Sequence, residues 1–231
     1  EKIGNKIYII EDSAQSHFAY SCFSCTTKKS YCCQKELNDR FADISCYSFY
    51  PAKNIGAFGD AGMISTNNKK IYKKLLALRN LGQIKKHNHA ILGLNSRLDT
   101  IQAVVLNKKL KSILKLNKAR RNIAKIYDNK LKDIQNIKIT ETKPGSTRHL
   151  YTIRTKKRDL LLKYLKKRGI YCQIHYPYTL NTLKAFRETS KKNKYLKNSD
   201  IWAKECLSLP LHPNLKVHEV HKVINEIKNF F

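Results

Sequence analysis

The chain has 231 residues, 46 of them Lys or Arg and 17 Asp or Glu, for a net charge of +29. Its 42% hydrophobic and 10% aromatic content excludes a disordered basic tail, because disorder goes with few apolar residues. The length suits one large domain or two small ones, and no apolar run approaches the roughly 20 residues that cross a bilayer.

In chain order, Lys6–Glu11 is a β-branched run that reads as a buried strand and ends in the polar set Glu11-Asp12-Ser13-Ala14-Gln15. Polar groups just past a strand's carboxyl end stand where open α/β sheets bind ligands. A Cys-rich polar stretch over about 19–41 follows as an excursion. Ile44–Tyr50 reads as a second strand, running into the Gly-dense segment Pro51–Gly62, which holds three of the chain's eight glycines. Met63–Thr66 continues as a strand and Lys69–Arg79 as a helix. His87 and His89 fall in a polar stretch read as loop, and Gly93–Arg97 is another loop. One long helix is expected over 97–131, with apolar residues at 98, 101, 105, 113, 116, 123 and 126. Strands are expected at 136–140, 149–154 and 170–175, and helices at 158–168, 199–206 and 217–229. The alternation of strands and helices says α/β.

The charge raises nucleic acid first. Yet the basic residues are 36 Lys and only 10 Arg, whereas base readout and bidentate phosphate contact favour Arg. A composition rich in Lys, Asn and Ile is also what an AT-rich coding sequence gives, so nucleic acid is not the expected partner. The seven cysteines are 22, 25, 32, 33, 46, 172 and 206. An odd count with no charged-then-apolar leader reads as reduced thiols and a cytoplasmic protein. Cys22, Cys25, Cys32 and Cys33 are thiols of the kind zinc takes, but the adjacent Cys32–Cys33 pair is poor tetrahedral geometry, and no metal is expected. His218 and His221, with Glu219 between them, are one residue short of a zinc-protease motif and read as a solvated helix face.

Asp12, Gln15, Ser48 and Lys53 each lie at or just past the end of an expected strand, so they converge on one crevice. A lysine there is a candidate imine-forming nucleophile, and a carboxylate on the neighbouring strand suits a protonated pyridine nitrogen. That is the pairing expected for pyridoxal phosphate.

Three segments then appear in order: Glu11-Asp12-Ser13-Ala14-Gln15-Ser16-His17, Ser48-Phe49-Tyr50-Pro51-Ala52-Lys53-Asn54 through Gly62, and Gly93-Leu94-Asn95-Ser96-Arg97 through Ala103. With His175-Tyr176-Pro177 and Leu207-Ser208-Leu209-Pro210-Leu211-His212-Pro213, they closely resemble the DegT/StrS family. These are pyridoxal-phosphate-dependent nucleotide-sugar aminotransferases related to AHBA synthase, and the likeness runs over nearly the whole chain. It implies an α/β fold like the type I pyridoxal-phosphate transferases: a partial large-domain mixed sheet over 1–115 and a small C-terminal α+β domain over 116–231. It implies that Lys53 bonds the cofactor and moves the proton, and that Asp12 faces the pyridine nitrogen. Gln15 then faces the 3′-oxygen and Ser48 the phosphate. Asn95 reaches the phosphate of a partner subunit, hence a homodimer with shared sites. His17, His175 and Tyr176 approach the substrate. The substrates implied are a nucleotide-linked keto-sugar and an amino-acid donor such as glutamate, in amino-sugar or cell-surface polysaccharide biosynthesis. Some relatives carry histidine in place of the lysine and act as dehydratases, so Lys53 implies transamination.

The chain departs from that pattern in two places. Eleven residues precede Asp12, where family members carry a long stretch with a Gly-Thr turn that holds the cofactor phosphate at a helix N-terminus. The chain begins at Glu1 rather than Met, which reads as a removed N-terminus or a piece of something longer. The Cys-rich excursion is longer than the family pattern, and Phe18 replaces the usual Gly. Two alternatives therefore stand beside the enzyme: an inactive, truncated remnant of the family, and a basic nucleic-acid- or zinc-binding module.

Overall fold

The computed structural model describes residues 7–19, 42–143, 145–186, 188 and 196–231. The chain forms two compact units, residues 1–116 with 144–147, and residues 117–143 with 148–231.

In the first unit β1 (Ile10–Asp12) pairs in parallel with β2 (Ile44–Ser48), and β2 pairs antiparallel with β3 (Gly62–Ser65). The loop between β2 and β3 folds back on its own strand. Ala57 N donates to Phe49 O at 2.8 Å, Phe49 N to Ala61 O at 2.8 Å, and Lys53 N to Tyr50 O at 2.8 Å. This buries Phe49, Ile55 and Ala57 with Leu106 and Ile113 as one apolar cluster. Gly56 makes the fold-back possible, since a Cβ there would lie 2.2 Å from Pro51 O. α1 (Lys69–Leu78) begins at Asn68, whose side chain accepts from Lys70 N and Ile71 N, a standard N-cap.

Three expectations change here. The first strand is shorter than Lys6–Glu11 and is not buried: Ile7 and Ile10 are each 65% exposed, because no described element covers them. His87 lies in a turn as expected, but His89 belongs to a strand. Gln83–Lys85 (β4) pairs antiparallel with Asn88–His89 (β5), and His87 takes the turn at φ 64°. Strands of three and two residues are too short to leave an alternating pattern. The long helix is two helices, α2 (Thr100–Leu110) and α3 (Ile113–Leu131). The chain turns at 111–112, and helix resumes with Leu116 N donating to Ser112 O at 3.0 Å. Leu106 and Ile113 stand seven residues apart and both reach the same cluster, so the helical period survives the turn and hides it.

In the second unit β6 (Lys138–Ile139), β7 (Tyr151–Arg154) and β8 (Cys206–Leu209) form an antiparallel sheet in that order. α4 (Arg158–Lys167) and α6 (Val217–Phe230) bury Leu161, Leu165, Val220, Ile224 and Ile227 with Tyr127 and Leu131 of α3 and Ile153 and Leu207 of the sheet. α5 (Lys197–Glu205) ends on Arg158, whose guanidinium donates to Ala203 O at 3.2 Å and Cys206 O at 3.4 Å, satisfying carbonyls a helix end leaves open. The strand expected at 170–175 is reduced to one bridge between Gln173 and Ser208. The sheet position beside β7 is filled by β8, which begins where α5 was expected to end. His218 and His221 are exposed on α6. No helix among the described residues is long and apolar enough to cross a membrane.

Gly56→Ala should lower stability by about 1–3 kcal/mol, the usual cost of overpacking a tight site, read as a fall in the urea midpoint at unchanged slope.

Candidate functional site

Parallel pairing of β1 with β2, with Asp12 opposite Cys46, sets the carboxyl ends of both strands side by side. Ser45 Oγ donates to Glu11 Oε2 at 2.8 Å across the pair, and Ser13 N donates to Cys46 O at 2.8 Å, so the two strands stay in register up to the point where both chains leave the sheet. Asp12 stands at that end with its carboxylate exposed, Oδ1 accepting from Ala14 N at 3.0 Å. Ser48 closes β2, its hydroxyl accepting from Tyr50 N at 3.3 Å. Lys53, half-buried, lies on the folded-back loop.

His17 is 3% exposed and packs its ring against Tyr47 at 5.9 Å and Phe49 at 5.5 Å between centroids. Burial lowers its pKa below the ordinary histidine value, and the charge of Lys53 lowers it further, against a raising contact from the Ser48 backbone. The ring therefore shares its surroundings with Lys53 and Ser48. Phe18 beside it is half exposed at φ 57°, the left-handed region in which a side chain is strained and glycine is not.

Thr147 ties the two loops of this site together. Its hydroxyl donates to Gln15 O at 2.6 Å, and its carbonyl accepts from Asn54 Nδ2 at 3.0 Å. It lies far along the chain, in a turn without periodicity, and nothing in the sequence marks it. Gln102, whose side chain accepts from Phe58 N at 2.8 Å, and Lys109, whose Nζ donates to Gly56 O at 2.6 Å, brace the same loop from α2.

The structure thus brings Asp12, Gln15, His17, Ser48 and Lys53 together. Asn95 has no described contact with them; its Oδ1 accepts from Arg97 Nε at 2.8 Å. His175 and Tyr176 belong to the second unit. There His175 Nδ1 lies 2.8 Å from Ser208 Oγ, and the Tyr176 ring stands edge-on to the imidazole, exposed to 65%. Among the described residues no three His, Cys, Asp or Glu side chains are placed to hold a metal; Cys22, Cys25, Cys32 and Cys33 lie outside those residues.

The model of the DegT/DnrJ/EryC1/StrS aminotransferase family matches residues 3–228. The chain belongs to this family. It is 35% identical over 229 residues to the pleiotropic regulatory protein of Geobacillus stearothermophilus, covering 97% of this chain and 58% of that protein. With the dTDP-3-amino-3,4,6-trideoxy-alpha-D-glucose transaminase of Streptomyces venezuelae it shares 31% over 226 residues, 97% of this chain and 56% of the relative. The crystal structure of S. venezuelae DesV in complex with a ketimine intermediate superposes with a TM-score of 0.85 at 31% identity, over 97% of this chain and 58% of that one. The fold is accordingly that of the DegT/DnrJ/EryC1/StrS enzymes, and the chain spans a little over half the length of these relatives.

Phe18→Gly should raise stability by about 1 kcal/mol by relieving the left-handed strain, seen as a higher thermal midpoint. His17 is held neutral in the folded state, with its pKa below 6.5, so unfolded chains take up the proton first as pH drops. Stability should fall as pH decreases below about 6.5, and His17→Phe should flatten that part of the urea-midpoint profile.

Proposed function

We propose that this chain carries pyridoxal-phosphate-dependent transfer of an amino group from an amino acid, such as glutamate, to a nucleotide-linked keto-sugar. The observation that supports it most directly is the placement of Asp12 at the carboxyl end of one strand of a parallel pair and of Lys53 on the loop that leaves the carboxyl end of the other, a carboxylate and a primary amine on the same side of the sheet. The residues fit the group. Asp12 offers an exposed carboxylate to a pyridine nitrogen, Ser48 a hydroxyl to a phosphate, and Lys53 an amine to an aldehyde. The S. venezuelae transaminase is named for a dTDP-linked amino sugar, which supports a nucleotide-linked substrate.

Bound, the cofactor supplies an aldehyde carbon that joins amines and a ring that withdraws electrons from the carbon bearing them. The rest is done by the protein. With the cofactor bound, Asp12 would keep a proton on the ring nitrogen by placing negative charge against it. Lys53 Nζ would hold the aldehyde carbon and would carry a proton to and from the reacting carbon. Gln15 is placed to hold the 3′-oxygen. Thr147 positions the Gln15 backbone relative to Asn54, the neighbour of Lys53. His17, neutral and packed on Tyr47 and Phe49, presents no competing charge beside the amine. Asn95 serves the phosphate of a second subunit in a homodimer, and His175 and Tyr176 approach the sugar nucleotide.

Borohydride treatment of the protein mixed with pyridoxal phosphate should fix the cofactor's mass on the peptide carrying Lys53. Lys53→Ala should lose both the mass and all measurable amino transfer. Asp12→Asn should keep the mass and lose at least 100-fold in rate, on the scale of a removed electrostatic partner. A folded protein that takes up no mass refutes the proposal and favours the inactive remnant.

A further inference from the structure

Ser208 has neighbours on both sides. Across β7–β8 its register partner is Thr152. On the other side its backbone exchanges hydrogen bonds with Gln173, Gln173 N to Ser208 O at 3.1 Å and Ser208 N to Gln173 O at 2.7 Å. That bridge sets His175, two residues on, over the serine side chain. The Ser208 hydroxyl lies 3.0 Å from Thr152 Oγ1 and 2.8 Å from His175 Nδ1. The backbone of His175 is fixed as well, its carbonyl accepting from Trp202 Nε1 at 3.1 Å. Ser208 is 5% exposed, whereas the imidazole is half-buried and its Nε2 has no protein partner among the described residues.

We propose that Ser208 is a positioning residue that holds His175 in the neutral tautomer protonated on Nε2, so that the ring offers one N–H outward to an acceptor oxygen of the nucleotide-linked substrate. The proton count supports this direction. If Thr152 donates to Ser208 and Ser208 donates to Nδ1, both hydroxyl protons are used within the chain of three groups. Run the other way, the Thr152 proton has no acceptor among the described residues. A ring nitrogen that accepts such a bond leaves the proton on the other nitrogen. Burial lowers the pKa of His175, which keeps the ring neutral, with a nitrogen free to accept. The identity of the acceptor rests on the amino-transfer reading; the tautomer does not.

The tautomer is read directly from long-range 1H–15N correlations of the histidine rings, with His175→Gln assigning the signal, at a pH above its titration. The wild-type ring should show the Nε2–H pattern. Ser208→Ala should mix the tautomers, and Ser208→Thr, which keeps the hydroxyl, should restore the pattern. If Ser208→Ala does not fold, Thr152→Val removes the first donor of the same chain and should also mix them. With uridine diphosphate as probe, Ser208→Ala should bind roughly 3- to 10-fold more weakly, the range of one hydrogen bond, and Ser208→Thr close to wild type. An Nδ1–H pattern in the wild type, or an unchanged pattern in Ser208→Ala, overturns the positioning role. The expected tautomers with equal affinity for the probe in all variants overturn the donation to the nucleotide. Borohydride fixation at Lys53 reports on the amino-transfer reading separately, since it does not involve His175.

Discussion

The parallel pairing of β1 with β2 is the constraint from which the candidate site follows. Parallel strands end at the same side, so the chain leaving Asp12 and the chain leaving Ser48 depart together. Each then folds back at once: the first through the turn carrying Gln15 and His17, the second through the loop that buries Ile55 and Ala57 under Phe49. Had β2 run antiparallel to β1, Asp12 and Lys53 would lie at opposite ends of the sheet. The loop keeps its shape because its own backbone bonds to β2, and because Asn54, Gly56 and Phe58 are held by Thr147, Lys109 and Gln102.

The charge takes on a different meaning once contacts are known. In the ion pairs Arg148–Asp128, Arg154–Glu205 and Arg168–Glu226 the cation is arginine. Arg120 adds donations to the carbonyls of His149 and Leu211. A planar fork with several fixed donors suits such work, and a lysine ammonium does not. The few arginines thus knit the second unit and engage its carboxylates. The many lysines remain mostly on exposed positions, where they add charge and solubility more than specific contacts.

Position 18 illustrates how a departure from the family pattern reads in three dimensions. The turn after β1 needs a left-handed residue, and the chain supplies Phe at φ 57°. The strain is tolerated because the neighbouring His17 is locked between Tyr47 and Phe49 and the Gln15 carbonyl is held by Thr147. Site geometry here is kept by packing around the turn, not by the turn residue itself.

Much of this was legible in the residues alone. The order Asp12…Gln15, Ser48…Lys53 and Asn95 marked the family, because the order and spacing of motifs along a chain are local information. The helices over 69–78, 158–167 and 217–230 were legible for the same reason, each carrying its own apolar stripe. What the sequence could not decide were pairings between distant segments. Thr147 reaches Gln15 from 132 residues away. The strand expected at 170–175 shrinks to one bridge from Gln173 to Ser208 of β8, and the break at 111–112 is invisible because seven residues nearly complete two helical turns. Hydrogen-bond partners brought together only by folding leave no periodic trace, and it is these partners that hold Gln15, Lys53 and His175 in place.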